Sequence, residues 1–175
     1  SDSLVKLYES GNYDPTQQLD ILDKIAQNNP DPDESLKYTD LLLKEAIAVD
    51  SNRYVYRGYR HRGNAHEQKG DLSMALESYF KAREFIDEST EKGRLGNLYT
   101  AIAAVYSGMG NKPNVIQYYS NAIKILEGLE DRIAYAIAVE NLGDSYLGFG
   151  EPDSALVLFN KSGPIFKAQN RKPFL

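Results

Sequence analysis

The stretch that decides the fold runs from Gly63 to Ala82, GNAHEQKGDLSMALESYFKA. Gly70-Asp71 breaks it in the middle, and behind the break Ala75, Tyr79 and Ala82 recur at helical spacing. This predicts two helices joined by a tight turn. The first closes on a glycine, and the second starts behind Asp71 and Ser73, whose side chains can cap orphan N–H groups. The skeleton returns twice at a period of 40 residues, the step from Gly63 to Ala103 and then to Gly143. Gly70 becomes Gly110 and Gly150, Ala75 becomes Val115 and Ala155, Tyr79 becomes Tyr119 and Phe159, and Ala82 becomes Ala122 and Ser162. Upstream, Pro32-Asp33 with Ser35-Leu36 matches Pro152-Asp153 with Ala155-Leu156. A fixed period of this size is the signature of an all-α helical repeat array. It points to binding without identifying a ligand.

Bulk properties agree with a folded chain. Of 175 residues, 42% are hydrophobic and 26% charged, ordinary values for a folded domain. The formal net charge of −5 argues against a nucleic-acid partner, which would require a basic surface. With no cysteine, disulfides and thiolate chemistry do not enter. No apolar run approaches the roughly 18 residues of a membrane span, so no direct membrane contact is expected. The start, Ser1-Asp2-Ser3, lacks an initiator Met and reads as a trimmed or mature terminus.

Small residues, Gly-Asp/Asn turns and the Ala-x-x-x-aromatic-x-x-Ala pattern together resemble the tetratricopeptide repeat. Gly143, Tyr146, Ala155 and Phe159 carry the resemblance, as do Gly63, Ala75, Tyr79 and Ala82. Tyr59, Tyr99 and Val139 stand where that family has an early Trp, and its closing Pro is missing. The period is 40 residues (Gly63 to Ala103) against about 34 for the common repeat. This is similar to a subgroup with lengthened helices. The resemblance implies a right-handed α-α superhelix of four helix-turn-helix repeats. The expected divisions are an N-terminal cap over 1–15, repeats over 16–55, 56–95 and 96–135, and an irregular last repeat over 136–175.

In order, Leu4, Val5, Leu7 and Tyr8 form a short amphipathic piece, too short to be a stable helix alone, that should pack on the first repeat. Asp14-Pro15-Thr16 is a cap-and-proline start for the stripe Leu19, Leu22, Ile25 and Ala26. The second helix of the next repeat is expected from about Ser73 to Ser89, giving eight helices in four pairs. Pro113 falls in a first turn, where its missing N–H costs little. Gly63, Ala75, Ala82, Ala122, Gly143 and Ala155 are expected at close helix crossings. At Ser162-Gly163-Pro164 a kink or helix end is expected, since an interior proline costs roughly 3 kcal/mol. Ile165, Phe166, Phe174 and Leu175 would then lack cover, so the natural chain is expected to continue, or this end to self-associate.

No catalytic or cofactor constellation is present in the sequence, and no metal set. His61 and His66 are five apart on different helix faces, with His66 in the slot of Tyr106 and Tyr146. Gly108-x-Gly110 lacks the Lys-Ser/Thr of a phosphate loop. Asn160-Lys161-Ser162 fits a glycosylation sequon, a pattern common by chance. By the resemblance, four positions of each first helix line an inner groove. These are Arg57, Arg60, Asn64 and Glu67; Asn97, Thr100, Ala104 and Ser107; then Ile137, Glu140, Asp144 and Leu147. Arg57, Arg60 and Asn64 share one helical stripe and would form an anionic subsite, with Glu140 and Asp144 giving opposite polarity farther on. Arg60 and Asn64 are similar to half of the carboxylate clamp of chaperone-binding members. Ala101, Ile137 and Asn141 stand where its other half should be, which disfavours that role.

The expected function is therefore a non-enzymatic protein-interaction or sensory domain of a larger signalling protein, holding a protein or peptide in its groove. Asp2-Ser-Leu, Asp14-Pro-Thr and Asn29-Pro-Asp in their contexts resemble extracytoplasmic repeat regions of bacterial membrane signalling proteins. There such a domain precedes an output such as a histidine kinase or nucleotide cyclase. The alternative is a stand-alone cytosolic scaffold.

Overall fold

Among the described residues, 2–169 of the computed structural model, the chain forms nine α-helices and one short 3-10 turn. They are α1 (Asp2–Ser10), α2 (Gln18–Asn28), α3 (Pro32–Ala48), α4 (Asn52–Gln68), α5 (Leu72–Arg83), α6 (Lys92–Gly108), α7 (Lys112–Glu127), α8 (Arg132–Gly148) and α9 (Pro152–Gln169). Two compact units divide between Ile86 and Asp87, α1–α5 in one and α6–α9 in the other. Within each unit every helix packs on its neighbour in sequence, and α2 also touches α4 as α6 touches α8. This sequential hairpin packing is the all-α repeat that the period implied.

Local chemistry explains the turns. Gly70 takes φ +79°, a left-handed conformation that an L side chain resists, just past the end of α4. There the Asp71 N–H donates to the His66 carbonyl at 2.9 Å and the Gly70 N–H to that of Glu67 at 3.0 Å, closing the helix in a Schellman motif. Gly110 and Gly150 repeat it one and two periods on. Asp14 Oδ1 accepts from the Thr16 N–H at 2.9 Å, and Asp131 Oδ1 caps α8 through Ile133 and Ala134. Asp71, by contrast, makes no side-chain cap bond; its Oδ2 lies 3.6 Å from His66 Nδ1.

The cores follow the stripes. Leu22, Ile25, Ala26, Tyr38 and Leu42 are buried in the first unit, with Leu4, Val5 and Tyr8 of α1 packed against them. The opening segment is thus a ninth helix, its short length supported by packing rather than by propensity. Gly63, Ala75, Ala82, Ala122, Gly143 and Ala155 are all buried. A Cβ on Gly143 would meet the Phe159 ring at 2.6 Å, and one on Gly63 would overlap Tyr79. Close helix approach is what these small residues permit.

Two expectations need correction. The helix expected to run to Ser89 ends at Arg83. Asp87 Oδ1 accepts from the Ser89 N–H at 2.9 Å and from its hydroxyl at 2.6 Å, and these local bonds compete with helix continuation. Conversely, α9 does not end at Ser162-Gly163-Pro164 but carries Pro164 inside it as far as Gln169. The bond that Pro164 forfeits would have used the carbonyl of Asn160, an exposed residue, while Ile165 packs on the Ala134–Tyr135–Ala138 cluster. Ile165 and Phe166 are half-buried rather than bare; Phe174 and Leu175 lie outside the described residues. Replacing Pro164 with Ala should restore that helical bond, adding up to about 3 kcal/mol to the unfolding free energy and raising the urea midpoint accordingly. A midpoint that falls would mean that the ring itself is packed.

Candidate partner-binding surface

In the first unit, α4 presents Arg57, Arg60, Asn64 and Glu67 along one stripe, and the structure divides them by role. Arg57 reaches α2 and clamps Asp23 with both branches of its fork, Nε donating to Oδ1 at 2.6 Å and Nη2 pairing with Oδ2. Asp23 is only 2% exposed, and its Oδ1 also lies 2.9 Å from Nε2 of the equally buried His61. Burial pushes the Asp23 carboxyl up, but bonds from His61 and Arg57 together with their charges outweigh it and hold the group below the usual carboxylate range. Arg57 therefore joins α4 to α2, and two converging guanidiniums are not available. Tyr56, next to Arg57 in the chain, is buried.

Arg60, Asn64 and Glu67 gather around the hydroxyl of Tyr79 from α5. That oxygen lies 2.7 Å from Asn64 Oδ1 and 2.9 Å from Glu67 Oε2. A phenol has one proton for two acceptors. The charged Glu67 takes it, and an Asn64 amide turned end for end then donates back to the hydroxyl oxygen. Burial, followed by the charge and hydrogen bond of Glu67, raises the Tyr79 hydroxyl far above its usual range, against a small opposing effect of Arg60. The phenol stays neutral and acts as a pin. Arg60 is half-buried, and its Nε is buried with no hydrogen-bond partner. Nε itself is sealed from solvent, a cost of about 1–3 kcal/mol, so an acceptor from outside the chain would meet the part of the Arg60 side chain that remains exposed.

In the second unit Ala104, Ser107, Asn141, Asp144 and Ser145 line a shallow concavity of about 410 Å³ between α6 and α8. Ser145 donates to the Asn141 carbonyl at 2.8 Å, and Ser107 Oγ sits 3.1 Å from Ser145 Oγ. Asp144 is exposed at its edge. Asn97, Thr100 and Glu140 lie outside this lining; Thr100 turns its hydroxyl back to the Gly96 carbonyl at 3.0 Å. Ile137 and Leu147 remain 41% and 48% exposed. These groups can hold a peptide by hydrogen bonds and apolar contact.

The residue of this cluster that the sequence reading missed is Asp23. Its one readable signal was a charge set inside the apolar run Leu22, Ile25, Ala26.

Two solved structures share the architecture. BtubC (BKLC) from P. vanneervenii superposes with a TM-score of 0.77 at 17% identity, covering 98% of this chain and 72% of that one. MamA superposes with a TM-score of 0.64 at 17% identity, covering 98% of this chain and 89% of the other. No protein-family model and no curated protein matches the sequence. At such identity the likeness establishes the fold, a tetratricopeptide-like helical repeat.

Proposed function

We propose that the chain is a non-enzymatic protein-interaction domain, and that the α4 face bearing Arg60, Asn64 and Glu67 receives an acidic segment of its partner. The carrying observation is that the half-buried Arg60 side chain makes no hydrogen bond or ion pair among the described residues, while its neighbours Asn64 and Glu67 are already held by Tyr79. A carboxylate there forms charge-assisted bonds roughly twice as strong as neutral ones. In the second unit, taken by itself, Asn97, Thr100, Glu140 and Asp144 are further candidate contacts, of which Asp144 edges the Ser107 concavity. In the finer reading this domain is the sensory part of a larger signal-transduction protein, supported by the resemblance of its first forty or so residues to extracytoplasmic sensor regions. The helical-repeat fold suits a cytosolic scaffold equally.

The test uses Arg60→Ala and Arg60→Lys rather than any change at Arg57, which would strip Asp23 of its partner. Against an array of synthetic peptides with acidic C-terminal segments, Arg60→Ala should weaken capture about tenfold, with unchanged helical circular dichroism. Arg60→Lys should restore only part, because an ammonium cannot reproduce the fork. Equal capture by wild type and Arg60→Ala would reject the α4 site.

A further inference from the structure

At the other end of α6 from the Ser107 concavity, about 22 Å along the helix axis, the second unit has another hollow. It is a cleft of about 590 Å³ where α6 begins and α7 ends. Leu95, Ile125 and Leu129 form its apolar floor, and Lys92, Lys124 and Glu88 stand on its rim. A volume of this size lies within the range of ordinary ligand pockets. Glu88 already has a partner, whereas neither lysine amine has one among the described residues. Lys92 is also placed against the helix dipole: it occupies the first turn of α6, where an anion would be favoured. In a chain of net charge −5, the rim is locally positive.

The fold accounts for the hollow but not for the lysines. One period on, a matching cleft of about 430 Å³ opens where α8 begins and α9 ends. There Arg132 replaces Lys92, Pro164 replaces Lys124 and Ile165 replaces Ile125. Its cation is already used, Nη1 donating to the Glu127 carbonyl at 2.6 Å and the guanidinium lying 4.5 Å from the Tyr135 ring centre. Glu130 and Asp131 make that rim acidic. The same cavity thus occurs twice with opposite charge, and only the first offers two unpaired amines above an apolar floor.

We propose that the α6–α7 cleft binds a short segment of a protein partner in which an apolar side chain is flanked by carboxylates. The apolar side chain covers Leu95, Ile125 and Leu129, and the carboxylates meet Lys92 and Lys124. Electrostatics of this kind set orientation and partner choice more than affinity. The site is separate from the α4 face and stands whether or not Arg60 binds anything.

The experiment titrates the whole chain, methyl-labelled at isoleucine and leucine, with the probe acetyl-Asp-Leu-Phe-Glu-Asp-amide. Two control peptides accompany it, one with lysine for each acid and one with Gly-Ser for Leu-Phe. The expected result is saturable shifts of the Ile125 and Leu129 methyls by the first peptide alone, weakening as salt is raised. Lys92→Glu with Lys124→Glu should weaken binding about tenfold or more, and the paired arginine variants should keep it. Arg60→Ala should leave it unchanged. Absence of methyl shifts, binding that survives the double Glu variant, or binding lost in Arg60→Ala would each overturn the proposal. So would octanoate occupying the cleft while the peptide does not, since the occupant would then be a small amphiphile.

Discussion

Replacing Asp23 with alanine should destabilise the first unit by about 3–5 kcal/mol, the range for breaking a buried ion pair by removing one partner. Asp23 is 2% exposed, and it is the acceptor for Arg57 Nε at 2.6 Å and the partner of His61 Nε2 at 2.9 Å. Without the carboxylate, a half-buried guanidinium and a buried imidazole lose their shared partner at once. The melting midpoint should fall on the order of 10 °C. Asp23→Asn keeps the shape and one acceptor but loses the charge, so its loss should be smaller. The carboxyl is held below its ordinary value in the folded chain. Its contribution is therefore present above the unfolded carboxylate value and disappears as pH falls through the folded one. Wild type should lose more stability than Asp23→Asn as pH drops below about 4, and their denaturation curves should converge in acid. An Asp23→Ala midpoint within about 1 °C of wild type would show that the triad contributes nothing.

What could be read before the structure was what a short stretch of backbone demands. Gly70, Gly110 and Gly150 are needed where the chain turns left-handed, and that need is local, so the period announces it. Gly63 and Gly143 were legible for the same reason: a small residue recurring opposite an aromatic implies close approach. The Asp23 cluster was not. Arg57 and His61 lie 34 and 38 residues beyond Asp23, and each alone reads as an ordinary helix-surface polar residue. Hence the stripe of Arg57, Arg60 and Asn64 could be read along α4, while the pairing of Arg57 with Asp23 could not. The early end of α5 had a local signal in Asp87-Glu88-Ser89-Thr90, but the period suggested a longer helix. At Pro164 the reverse happened, because propensity cannot register that Pro164 and Asn160 sit on an exposed face while Ile165 is packed.

Gly63 is where fold and candidate surface meet, and substituting it should show both. A Cβ there would overlap the Tyr79 ring, with even ring Cζ only 2.9 Å away. At the equivalent Gly143 a Cβ would come to 2.6 Å from Phe159. The two rings differ in freedom. Tyr79 is fully buried and its hydroxyl is pinned at Asn64 and Glu67, while Phe159 is half-buried and has no hydroxyl to hold it. Alanine for glycine inside a helix gains about 1 kcal/mol of propensity, which at Gly143 can offset a small ring shift. At Gly63 the ring can yield only by giving up its hydrogen bonds. Gly63→Ala should therefore be net destabilising and Gly143→Ala close to neutral. Gly63→Leu should cost about 3 kcal/mol, the upper end for overpacking. Tyr79→Phe should reduce the penalty of Gly63→Ala, because an unpinned ring can move, and a double-mutant cycle in urea measures that coupling. The same change releases Asn64 and Glu67 beside Arg60, so peptide capture on α4 should weaken in Gly63→Leu even where the chain remains folded. A Gly63→Ala midpoint at or above wild type would show that the ring accommodates the methyl without leaving its pins, and the contrast with Gly143 would disappear.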